Sequence, residues 1–157
     1  MKALLALADA GVDFVLVGGM ATVAQGVPCV THDTDIVPDL APENLNRLYA
    51  VLLSLHARIR GRPGPPLTPA RHHLGAGHLL LDTDAGWLDI LGALVGGREY
   101  LDLRPHTLEL AIEGRRIVVL DLRTILEIKR ELDTPKDRAQ IQLIEATLTR
   151  GARDGDP

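Results

Sequence analysis

Residues 14–37 read FVLVGGMATVAQGVPCVTHDTDIV, and the order of residue types in this stretch decides the fold. An apolar, β-branched run from Phe14 to Val17 meets Gly18 and Gly19. A short helical pattern follows and closes at Gly26, and Asp33-Thr34-Asp35 then runs into Ile36 and Val37. The first and last pieces have the composition of buried strands, and the paired glycines mark a strand-to-helix turn. In a strand, residues i and i+2 face the same way, so Asp33 and Asp35 stand side by side at roughly 7 Å between α-carbons. Carboxylates that close raise each other's proton affinity and oppose folding unless positive charge or a dense set of donors stands among them.

A third acid, Asp89, lies between Leu88 and Ile90 in WLDIL, a run that is otherwise apolar. A strand interior seldom holds an acid without a partner. Three oxygen-rich side chains converging on one place suit Mg²⁺ or Mn²⁺, which accept carboxylates, water and substrate phosphates as ligands. The glycine turn supplies the complementary part, because backbone N–H groups there approach an anion closely with a helix behind them. An anion-binding turn and metal-binding acids in one supersecondary unit are what phosphoryl or nucleotidyl transfer requires.

The remainder supports one domain over residues 1–150, with residues 151–157 (GARDGDP) as a frayed tail. KALLALADAG reads as a short helix closed by Gly11, and Pro42 opens a helix to about His56 with Leu45, Leu48, Leu52 and Leu55 on one face. Residues 61–77 hold four prolines and four glycines and read as a loop. HLLLDTD and WLDILGAL form a hairpin turning at Ala85-Gly86, and a short segment leads to a strand at RRIVVL. Asp121 caps a helix over LRTILEIKREL, and Thr134-Pro135-Lys136-Asp137 opens the last helix as a capping box. The sum is a helix-flanked mixed sheet of the α+β or α/β class.

Composition narrows the function. A net charge of −4 argues against a nucleic-acid-coating protein or a DNA sequence reader, and 46% apolar residues indicate a globular chain. The single cysteine, Cys29, excludes an internal disulfide framework and fits a reducing cytoplasm. The apolar N-terminal run is broken by Asp9 and Gly11, so neither a membrane span nor a signal peptide is expected. Only Lys2, Lys129 and Lys136 are lysines among seventeen basic residues, which draws attention to where they stand.

On these residues the chain resembles the DNA-polymerase-β-like nucleotidyltransferase superfamily, whose pattern is a Gly-Gly turn, a short helix, Asp-x-Asp and a third Asp on a later strand. It is most similar to the small prokaryotic AbiEii-type proteins and minimal nucleotidyltransferases of toxin–antitoxin pairs, and the likeness runs to about Leu148. The resemblance implies a nucleotidyltransferase fold with a C-terminal helix pair. It implies Mg²⁺ (or Mn²⁺) on Asp33, Asp35 and Asp89, with Asp89 binding a second ion and helping to deprotonate the attacking hydroxyl. It further implies NTP held by Gly18, Gly19, Lys129, Lys136 and Asp137, and an acceptor that is RNA (tRNA) or a co-encoded toxin or antitoxin protein. Two positions depart from the pattern. Cys29 stands where many relatives have Arg, and RAQIQ lacks a further Asp. These departures motivate the alternative of a catalytically degenerate module that binds a nucleotide or a partner.

Other motifs carry plainer readings. Asp82 and Asp84 form a second Asp-x-Asp that could serve as the metal pair, but they flank the hairpin turn, where aspartate hydrogen-bonds local backbone. His72, His73 and His78 match no standard zinc spacing, Cys29 has no readable His-acid partner, and Trp87 reads as core. No acid occurs between Asn44 and Leu81, whereas Arg47, Arg58, Arg60, Arg62 and Arg71 do. Either the proline-rich loop carries these arginines past one end of the acid site, with Arg58, Arg60, Arg62 and Arg71 as phosphate contacts for RNA, or the run is an arginine-rich solvated surface without a partner.

Overall fold

A computed structural model describes residues 1–75 and 77–154 of the chain. Helix α1 (Lys2–Asp9) leads into strand β1 (Phe14–Val17), helix α2 (Gly18–Ala24) and strand β2 (Asp33–Pro38). Helix α3 (Pro42–Ser54) is followed by the two-residue strand β3 (Arg58–Ile59), then by β4 (Leu79–Thr83) and β5 (Gly86–Ile90). The short helix α4 (Tyr100–Leu103), the hairpin β6 (Thr107–Ile112) and β7 (Arg115–Leu120), and helices α5 (Leu122–Leu132) and α6 (Pro135–Asp154) complete the described chain. Seven strands form one sheet in the order β3-β4-β5-β2-β1-β7-β6. The β1–β7 and β2–β5 pairs are parallel and the others antiparallel. The expected helix-flanked mixed sheet is therefore the architecture observed.

Local chemistry explains the boundaries. Pro42 occupies the first turn of α3, where its missing N–H costs no helical hydrogen bond. Asp121 caps α5 by accepting from the Thr124 N–H at 2.8 Å. Thr134 caps α6, its Oγ1 accepting from the Asp137 N–H at 3.1 Å. The described part of α6 extends to Asp154, four residues into the stretch expected to fray, and residues 155–157 lie outside the described residues. The β4–β5 turn sits at Asp84-Ala85, with Gly86 beginning β5 at a φ of 102°, one residue earlier than expected. Three elements went unread in the sequence: β3, α4 and β6. Strand β6 pairs with β7 through a Glu113-Gly114 turn, and both turn residues have positive φ (48° and 77°), as a two-residue hairpin loop demands.

Thr34, Ile36, Leu79, Leu81, Leu88 and Ile90 alternate with the acids along their strands and are buried. The five apolar ones belong to one core with Leu4 and Leu7 of α1 and with Leu48 and Leu52 of α3. No described helix is long and apolar enough to cross a membrane. The other face of β3, β4, β5 and β2 is open, with Leu80 and Trp87 exposed at 40% and 45%.

Candidate active site

Strand register organises that open face into two rows. Arg60 bonds through its N–H to the Leu80 carbonyl, Leu80 pairs with Asp89, Asp89 with Asp35, and Asp35 with Val17. The neighbouring row runs Arg58, Asp82, Trp87, Asp33. Adjacent strands are about 4.8 Å apart, so Asp35 and Asp89 are direct neighbours although 54 positions separate them in sequence. The structure thus brings the three acids predicted from the sequence onto one face.

Asp35 is the most perturbed of them. Burial pushes its carboxyl up to about 6, with help from the negative charges of Asp89 and Asp33, while Lys136 and Lys129 pull in the other direction. The glycine turn explains how the carboxylate fits. Gly18 has a φ of 63°, and a Cβ there would collide with the Asp35 carboxylate. A Cβ on Gly19 would stand 2.6 Å from the Thr31 hydroxyl oxygen. Both glycines let the backbone pass directly against side chains of the segment that ends in the acid pair.

Asp89 is not bare. One guanidinium nitrogen of Arg60, Nη2, lies 2.7 Å from one carboxylate oxygen and 2.9 Å from the other. The same guanidinium carbon stands 4.6 Å from the Trp87 ring centre, within cation–π range. Burial pushes the Asp89 carboxyl up and Arg60 draws it back, with a net rise. Trp87, expected in the core, is instead the exposed wall of this pair.

The C-terminal helix pair carries the remaining predicted residues. Lys129 is buried and its Nζ donates to Asp137 at 3.1 Å. Asp137 also receives the Thr134 hydroxyl. Burial alone would raise the Asp137 carboxyl, but the Thr134 hydroxyl and the Lys129 ammonium hold it below the ordinary value. Lys129 is therefore committed to a neighbour. Lys136 is exposed, no described side chain pairs with it, and its charge reaches Asp35 more strongly than that of Lys129. A narrow apolar cavity of about 190 Å³ joins the two parts, lined by Val17, Gly18, Asp35, Ile128, Lys129 and Leu132 among others.

The donor set fits one divalent cation better than a three-acid cage. Asp33 and Asp35 share a face, and burial with the negative charges of Asp89 and Asp33 raises the proton affinity of Asp35, so a cation bound there would be favoured. Among the described residues no three acids or histidines stand in metal-holding geometry, and Arg60 engages both oxygens of Asp89.

Elsewhere, Asp84 pairs with His56 at 2.6 Å, and Asp82 faces Arg58 across the β3–β4 ladder. His73 uses its Nδ1 to accept from the Ala70 N–H, a local turn contact. Of the arginines expected along the rim, Arg71 is tied to α3 through Asn46, Arg62 is exposed, and Arg60 enters the site. The Arg60–Asp89 pair and the role of Trp87 were missed in the sequence. The available signal was the position of Arg60 two residues from Arg58, just ahead of the proline-rich loop.

No protein-family profile and no curated protein sequence matches the chain. Solved structures match it in fold. A Thermotoga maritima protein provisionally described as a nucleotidyltransferase superposes with a TM-score of 0.57 at 19% identity, over 99% of this chain and 92% of its own. The antibiotic-resistance factor ANT(2'')-Ia gives 0.59 at 19% identity, over 94% of this chain and 81% of its own. The lincosamide antibiotic adenylyltransferase LnuA, solved with lincomycin, gives 0.63 at 17% identity, over 93% and 96%. The chain has the nucleotidyltransferase fold.

Proposed function

We propose that the chain is a Mg²⁺- or Mn²⁺-dependent nucleotidyltransferase of the small AbiEii-type or minimal kind, which moves NMP from an NTP to a hydroxyl of RNA or of a partner protein in a toxin–antitoxin-type system. The observation that carries this reading is Asp35: a carboxylate set against a glycine turn, with its proton affinity raised by burial and by the crowding charges of Asp89 and Asp33. The adenylyltransferase chemistry of LnuA, and a structure of ANT(2'')-Ia with adenylyl-2''-tobramycin, support nucleotidyl transfer as the reaction class.

Asp33 and Asp35 would hold the divalent ion, which when bound offsets the charge of the triphosphate. Gly18 and Gly19 offer backbone N–H groups to phosphate oxygens, and Lys136 offers an ammonium with no competing partner among the described residues. Asp89 accepts the proton of the acceptor hydroxyl as its oxygen bonds to the α-phosphorus and pyrophosphate departs. Lys129 and Asp137 hold α5 and α6 in register behind the site.

The test is transfer of label from α-labelled NTPs with Mg²⁺ or Mn²⁺ to total RNA, to a co-encoded partner protein, and to hydroxyl-bearing small molecules. Label on RNA or on the partner supports the proposal. Label only on small molecules would move the acceptor class toward that of the solved neighbours, and no transfer to any acceptor would remove the enzymatic reading. The pairing of Asp89 with Arg60 and the cysteine at position 29 favour a second reading, a module that binds a nucleotide or a partner without chemistry. It predicts Mg²⁺-NTP binding without turnover, and neutralisation of a co-encoded toxin that survives Asp35→Asn.

A further inference from the structure

We propose that Arg60 is a built-in cation at Asp89, standing where the family resemblance puts a second metal ion, so that the site takes one divalent ion and not two. The inference rests on the nucleotidyltransferase reading of Asp33 and Asp35 and deepens it. Its first support is geometric. Nη2 of Arg60 hydrogen-bonds to both oxygens of Asp89 at 2.7 and 2.9 Å and so fills the space between them that a bound ion would need. An ion entering there has to displace the guanidinium or lie beside it against like charge.

The second support is how firmly the guanidinium is held. The Arg60 backbone N–H bonds to the Leu80 carbonyl at 2.8 Å, which anchors the residue as an extension of the sheet edge. Its side chain crosses the row at Leu80, and the Trp87 ring meets the guanidinium at 4.6 Å. Arginine keeps its charge at every working pH, and its planar head satisfies a carboxylate while stacking on an aromatic face. Lysine would give a point charge without the stacking.

The third support is charge balance. Asp33, Asp35 and Asp89 together carry three negative charges when ionised, and Arg60 returns one, so a single divalent ion completes neutrality. Lys129 does not enter this balance, because Asp137 cancels it at 3.1 Å. Lys136 acts on Asp35 through its charge, pairs with no described side chain, and is left for the triphosphate. In the nucleotide-free site a second divalent ion would bring an excess of positive charge.

The experiment counts ions and does not rely on turnover. Mn²⁺ is titrated into the full chain with a non-hydrolysable NTP analogue, and bound metal is read by electron paramagnetic resonance and calorimetry. The parent is expected to hold one Mn²⁺ per chain, and Asp89→Asn the same one. Arg60→Ala should gain a second ion, bound at least tenfold more tightly than any second ion in the parent, and Arg60→Ala with Asp89→Asn should lose it again. Two ions in the parent, a drop in count on Asp89→Asn, or a count of one in folded Arg60→Ala each overturns the inference while leaving the nucleotidyltransferase reading in place. If Arg60→Ala does not fold, the Asp89→Asn count decides alone. No ion in the parent overturns both readings together.

Discussion

Asp35 is half-buried and Asp137 buried, yet their proton affinities move in opposite directions. Asp137 is answered from within the chain by the Lys129 ammonium and the Thr134 hydroxyl, and its carboxyl is held low. The Asp35 carboxyl is pushed up to about 6 by burial and by the charges of Asp89 and Asp33, and Lys136 and Lys129 offset this only in part. A buried acid whose partners are covalently present behaves as structure. One whose partners are missing costs stability until something binds, and that cost marks where a ligand belongs. Asp89 lies between these cases, buried on the acid face but partnered by Arg60.

The largest expected effect breaks the answered side of this comparison. Lys129→Met leaves Asp137 buried without its ammonium and should lower stability by about 3–4 kcal/mol, by the usual cost of breaking a buried pair from one side. Urea denaturation measures it, and a loss under about 1 kcal/mol would mean that Asp137 is well served by Thr134 alone. Replacing both partners with apolar residues should recover part of the loss.

The next effect is of opposite sign and sits on the unanswered side. The folded carboxyl of Asp35 binds its proton more tightly than the unfolded one, so between about pH 4 and pH 6 the native state holds more protons and stability falls as pH rises. Above pH 6 the full cost is present. Asp35→Asn removes it and should stabilise the metal-free chain at pH 8 by about 1–3 kcal/mol, the gain shrinking as pH drops through 6 toward 4. Chelator-treated melts across pH would check this, and a gain independent of pH would exclude Asp35 ionisation as its source. Mg²⁺-NTP should stabilise the parent by mass action and Asp35→Asn far less.

Smaller changes refine which cations serve the ligand. Lys136→Ala should weaken Mg²⁺-NTP binding about tenfold with little change in stability, since no described group depends on Lys136 for pairing. Calorimetric affinities of Lys136→Ala and of a charge-retaining Lys136→Arg separate charge from shape. Smallest of all, Arg62→Ala should weaken acceptor RNA binding about two- to fivefold at every sequence tested and flatten its salt dependence, leaving NTP affinity untouched. An unchanged salt slope would make Arg62 an ordinary exposed side chain.

Much of the site could be read in advance because its pieces are local. Gly18, Gly19, Asp33 and Asp35 lie within one strand–turn–helix–strand unit, where period and glycine positions dictate facing and turn. Asp121 and Thr134 announce their helices through side-chain chemistry that acts over three residues. Strand β6 was missed although Leu108, Leu110 and Ile112 alternate ahead of Glu113-Gly114, because an edge strand is half exposed and its pattern is diluted by Glu109. Trp87 was misjudged for a related reason: aromatic character argues for burial, but the residue falls on the open face by parity with Asp89.

Sequence alone determined the class of fold, the shared facing of Asp33 and Asp35, the glycines at the turn and the acids that lack an adjacent counter-charge, because each follows from a few neighbouring residues and the stereochemistry of strands and turns. Tertiary structure alone decided which cation answers which acid. Arg60 reaches Asp89 across an intervening strand, Lys129 is taken by Asp137, and Lys136 remains for Asp35 to sense. Charges interact through space over several ångströms, and long side chains choose partners by where the sheet order and helix packing bring them. No spacing along the chain encodes that choice.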